Sequence, residues 1–200
     1  MIPETAALKS RPFPLVLKYT DVRSYILTLV FILCDVLVPW VFHQFHLAGP
    51  TFLPMHIFIL LAGLMFGWRA GLIVGIMTPF VSYAVSGMPA LPILPQTVVE
   101  LSIYGLVAGV LREKLNLRVI WSLLGAMAAG RIALVLAASL AYLITGQSAS
   151  FLGSEANPFL VAWTAIRQGW PGIIIQLLSI PAVIWLLERR SHTNKRDTVA

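Results

Sequence analysis

Apolar residues fall into six long runs, divided by short polar or proline-bearing interruptions. The first run, about 24–45, is long enough as a helix to cross a hydrocarbon core of ~30 Å. It holds Asp35 near its middle, Pro39 as a kink and His43 towards its far end. Two further runs, 57–66 and 70–85, are separated only by Gly67, Trp68 and Arg69 and predict a tight helical hairpin. Pro89, Pro92 and Pro95 exclude a regular helix over 86–97, because proline lacks an N–H and clashes with the preceding turn. A fourth span is predicted over about 98–111 and a fifth over about 119–145, the latter interrupted only by Arg131. After a Gly/Ser/Asn loop at 146–161, a sixth span runs over about 162–187. The pattern predicts an all-α, polytopic membrane protein with six transmembrane helices. Residues 1–23 form an N-terminal arm, 24–187 the transmembrane domain, and 188–200 a charged tail.

Composition agrees with that pattern. The chain is 58% hydrophobic and 11% charged over 200 residues, more apolar surface than a water-soluble fold of this size can hide. Its net charge of +6 does not point to nucleic acid, because the basic residues sit in short clusters between apolar runs. Every Lys and Arg except Arg131 and Arg167 lies in the N-terminal arm, at the 67–69 turn, in 112–118 or in the tail. The alternate loops hold none. By the positive-inside rule both termini are cytoplasmic. The polar stretch before the first apolar run is unlike a cleaved signal peptide. Cys34 is the only cysteine, so there is no disulfide framework.

Charged side chains inside a bilayer usually face a bundle interior or a water-filled cavity. Glu100 lies about one turn inside the outer end of span four, and Tyr104 shares its helical face. Arg131 is midway along span five, Arg167 and Gln168 lie in the outer part of span six, and His56 opens span two from the same side. Polar groups from several spans at one depth predict a ligand pocket open to the outside. The structural alternative pairs Glu100 with one of the two arginines and Asp35 with the other. Trp163, Trp170, Phe151 and Phe159 suit either an interfacial aromatic belt or stacking on a flat ligand.

Two small-residue stripes are candidates for close helix contact. Gly63, Gly67, Gly71 and Gly75 recur every fourth residue, as do Ala129, Ala133, Ala137 and Ala141. Such spacing lets backbones approach closely. No phosphate loop, H-E-x-x-H or G-x-S-x-G motif occurs, so the sequence predicts neither an enzyme nor an ATP-binding chain. The histidines lack the Cys or Asp spacing of a metal site, and no cofactor is expected.

The run LPMHIFILLAGLMFGWRAGLIVGIMTPFVSYAVSGMPALP, followed by VVELSIYGLVAGVL and AAGRIAL, resembles the substrate-binding membrane subunits (S components) of energy-coupling factor transporters. The likeness spans about 25–187 and is closest to the branch marked by Pro-Met-His, Leu-Ala-Gly, Arg-Ala-Gly and Gly-Met-Pro. It implies a multi-pass protein of a prokaryotic plasma membrane that binds a vitamin or related micronutrient from outside. It also implies partners: a scaffold transmembrane subunit carrying two ATPase subunits, against which the S component topples to release its substrate inwards. Substrate-binding residues are then expected among His56, Glu100, Tyr104, Arg131, Trp163, Arg167 and Gln168. One departure stands out. Many such subunits dock through an Ala-x-x-x-Ala pair in the first span, where this chain has Leu29, Leu33 and Leu37. Gly67, Gly71 and Gly75, or Ala129, Ala133 and Ala137, become the candidate docking residues instead. The rival reading is a self-sufficient proton-coupled secondary transporter with Asp35 and Glu100 as titrating groups; the absence of repeated halves counts against it.

Overall fold

The computed structural model describes residues 22–44, 49–146, 148–150, 153–155 and 157–197. Among these, seven helices run in the order α1 (Val22–Gln44), α2 (Gly49–Phe52), α3 (Pro54–Phe66), α4 (Trp68–Ser86), α5 (Leu94–Glu113), α6 (Val119–Thr145) and α7 (Pro158–Asp197). Between α6 and α7, two three-residue strands, β1 (Ser148–Ser150) and β2 (Gly153–Glu155), pair antiparallel with Ala149 opposite Ser154. The first 21 residues of the predicted arm, and Phe151, lie outside the described residues.

Five helices, α1, α4, α5, α6 and α7, are long and apolar enough to cross a membrane. Their outward faces carry large exposed hydrophobics, such as Ile132, Leu136, Leu140 and Leu143 on α6, which suits lipid rather than water. The chain is a multi-pass membrane protein. The sixth apolar run differs from the rest. Helix α3 has 13 residues, only ~20 Å at 1.5 Å per residue. Its segment IFILLAGLMF is apolar on every face, and such a helix belongs inside a bundle. Ile59 to Phe66 are all buried, enclosed by α1, α4, α5 and α7. A break in the helix precedes it: Leu53 adopts a left-handed conformation (φ 48°, ψ 47°) between α2 and α3, and Pro54 opens the new helix. Proline is well suited to that first turn.

Glycine sets the packing of α5 against its neighbours. A Cβ added at Gly71 would collide with the Gly105 backbone, and one at Gly75 with the carbonyl of Leu101. Gly63 meets the same Gly105 carbonyl from α3. The spacing of four seen in the sequence therefore builds a contact inside the chain. Gly71 and Gly75 are covered by α5, and Gly67 is the turn between α3 and α4, facing the Glu113 carboxylate. All three glycines are buried within the chain's own packing. The Ala129, Ala133 and Ala137 stripe runs along the margin of the packed face of α6: Ala133 is buried, while Ala129 and Ala137 are half-buried beside exposed Leu136 and Leu140.

One end of the bundle gathers the charged residues. The Trp68 amide donates to Glu113 Oε2 at 3.2 Å, so a carboxylate caps the N-terminus of α4, where the helix dipole favours it. Arg112, although 4% exposed, donates from Nη2 to Glu188 Oε1 at 2.9 Å and from Nη1 to the Leu117 carbonyl at 3.1 Å. That pair ties α5 to α7 at the point where the charged tail was expected to begin. The helix instead continues to Asp197, since 188–197 contains neither Gly nor Pro to stop it. A second difference lies at the other end. Helix α5 starts at Leu94, four residues before the sequence expectation, because Pro95 occupies its first turn and costs no hydrogen bond there.

Candidate functional site

The end of the bundle opposite those charges holds an open cavity, about 880 Å³ of empty space when its mouth is included. Every long helix contributes to it, each for a local reason. Pro39 and Trp40 come from the C-terminal part of α1. The α2–α3 break supplies Leu53, Pro54, Met55 and His56. Helix α4 ends in Ser82 and Ser86, and its stop at Gly87, in the left-handed region with φ 71°, turns Met88 and Pro89 over the opening. Thr97, Glu100 and Leu101 project from the first turns of α5, Arg131 from α6, and Ala165 with Gln168 from α7.

The break that forms one wall is held by α7. A Cβ at Gly172 would strike the Phe52 carbonyl, so α7 and α2 touch backbone to backbone. Gln176, 1% exposed, donates from Nε2 to the Leu53 carbonyl at 3.3 Å. That bond adds to the one the same carbonyl accepts from the His56 amide at 3.1 Å, so both of its lone pairs are used.

The polar centre is an ion pair. Arg131 donates from Nη1 to Glu100 Oε1 at 2.7 Å, with side chains 13% and 5% exposed. His56 Nε2 stands 3.9 Å from the same oxygen. The imidazole rests edge-on against the Tyr104 ring, centroids 5.0 Å apart and planes at 80°. Tyr104 is itself buried and pressed against Gly130, where a Cβ would overlap its ring. Chemically, the site combines an apolar chamber with one compact cluster of a carboxylate, a guanidinium and an imidazole. It has the character of a binding site.

Of the residues singled out in the sequence, His56, Glu100, Arg131 and Gln168 line the cavity together. Tyr104 lies one layer behind, supporting His56. Arg167 and Trp163 are not brought in: both are exposed on the outer face of α7, Trp163 to 62%. Successive positions on a helix differ by ~100°, so with Gln168 turned inwards Arg167 is turned away. Trp170 and Phe159 share that outer exposure, in keeping with the belt reading. Asp35 also lies apart from the cavity. It is fully buried, and in place of an arginine its partner is Thr78, whose Oγ1 donates to Asp35 Oδ2 at 3.2 Å. Trp40, Met55, Ser82 and Ser86 are lining residues that the sequence did not mark. Only the prolines beside Trp40 and Met55 hinted at an irregular wall there.

The family model of the ECF transporter substrate-specific component matches residues 23–184. Neither a curated protein nor a solved structure matches the chain. The family match takes in α1 to α6 and α7 almost to its Arg112-bound Glu188, and with it every wall of the cavity. The chain belongs to the substrate-specific components of ECF transporters.

Proposed function

We propose that the chain captures a vitamin or related micronutrient from outside the cell in the cavity around Glu100 and Arg131. The ligand then passes inwards in company with a scaffold membrane subunit and two ATPase subunits. The observation that carries this reading is the placement of the cavity. It opens at one end of the bundle, while Arg69, Arg112, Lys114, Arg118 and Arg189 belong to turns and helix ends at the other. With the basic end cytoplasmic, the cavity mouth faces outwards and both termini lie in the cytosol. The broken α2–α3 segment then crosses the remaining depth as a sixth span, shielded from lipid by its neighbours. The bilayer is that of a prokaryotic plasma membrane. Docking falls to exposed apolar faces, the margin of α6 along Ala129, Ala133 and Ala137 among them.

The test is reconstitution. The small molecule retained by the purified protein is identified by mass spectrometry, labelled and supplied to liposomes. Liposomes with this chain alone should bind it without accumulating it, with or without a proton gradient; adding the scaffold and ATPases with ATP should start uptake. Gradient-driven accumulation by the chain alone would establish the secondary-transporter reading in its place.

A further inference from the structure

Arg131 uses only part of its hydrogen-bonding capacity. Its Nη1 is held by Glu100, but Nε and Nη2 are buried and have no acceptor among the described residues. These two nitrogens form one edge of the guanidinium plane, with parallel N–H groups spaced to grip two oxygens of a planar acceptor. Native proteins seldom leave buried donors unpaired, and a charged donor least of all. His56 adds to the imbalance, since neither ring nitrogen has a hydrogen-bond partner among the described residues and one of them carries a proton in any state. Glu100, in contrast, has no oxygen that is both buried and unpartnered. The cluster is short of acceptors.

We propose, building on the capture role above, that the ligand carries a carboxylate which takes the Nε/Nη2 edge of Arg131 as a bidentate pair. Glu100 then acts as a positioning residue: by holding Nη1 it fixes the plane of the guanidinium and leaves the opposite edge for the ligand. The rest of the ligand is apolar, because Trp40, Leu53, Met55, Met88 and Pro89 supply the chamber it must fill. A cationic ligand fits this arrangement poorly. It would have to share Glu100 with Arg131 and would leave both unpaired donors as they are.

Equilibrium dialysis of the full chain in detergent tests the proposal with a matched probe set: labelled arylalkyl carboxylic acids with two to five methylenes, their primary amides and their primary amines. At least one acid should bind ten times more tightly than its amide and its amine. Arg131→Lys keeps the charge but removes the fork and should erase that preference. The Glu100→Gln/Arg131→Gln variant, which leaves no buried charge unpaired, should erase it too and serves if the single variant does not fold. Binding of amines or amides as tight as that of the acids would overturn the proposal, as would failure of every acid to bind. Failure on these terms differs from failure of the capture role. A protein that selects an amine yet transports only with the ATPase module retains its function and refutes only the carboxylate.

Discussion

At the scale of single residues, the fold tolerates Glu100 because Arg131 reaches it at 2.7 Å. Burying two charges is expensive, and their attraction offsets that cost only while both are present. Glu100→Gln or Arg131→Gln alone should therefore lower stability by ~3–5 kcal/mol. The double substitution should recover most of the loss, as read by chemical unfolding in micelles. Losses that simply add would show that the two side chains do not stabilise one another. These two residues were legible in the sequence because a charge inside an apolar run is informative by itself. Arg167 satisfied the same criterion and points elsewhere. The rotation of α7 about its axis is set by Gly172 against Phe52 and by Gln176 on Leu53, contacts between segments more than a hundred residues apart. No local pattern records that angle.

Among the elements, α5 is the one the others are built upon. It packs against α3, α4 and α6, and its glycines bring α3 and α4 to backbone contact. Gly71→Leu should accordingly abolish folding or cost more than the ~1–3 kcal/mol usual for an overpacked core, because the obstacle is backbone that cannot rotate aside. Ala128→Leu, on the exposed side of α6, should change stability by no more than ~0.5 kcal/mol. Thermal unfolding of the two variants side by side checks this; equal effects would remove the glycine contact from the account. The glycine period was plain in the sequence, but its partner was not. Period identifies a face without saying which helix covers it, so a docking surface and an internal contact read alike. Proline misled at Pro95, where it opens a helix that it was expected to exclude.

Across the whole molecule, the order of helices and the gathering of most basic residues at one end follow from hydropathy and charge alone. The cavity does not. Its walls come from the end of α1, the α2–α3 break, the stop of α4, the start of α5 and inner faces of α6 and α7, six places that share no sequence pattern. What unites them is the shortness of α3: a 13-residue helix at the centre of longer ones leaves a space above its N-terminus, where His56 stands. Occupancy of that space is the claim on which the functional reading rests. The most direct measurement is native mass spectrometry of the wild-type protein and the Glu100→Gln/Arg131→Gln variant purified from the same cells. The wild type should carry a small molecule in equimolar amount, and the variant should be folded and empty. A folded variant that retains the same molecule at the same occupancy would place binding outside this cavity and contradict the account.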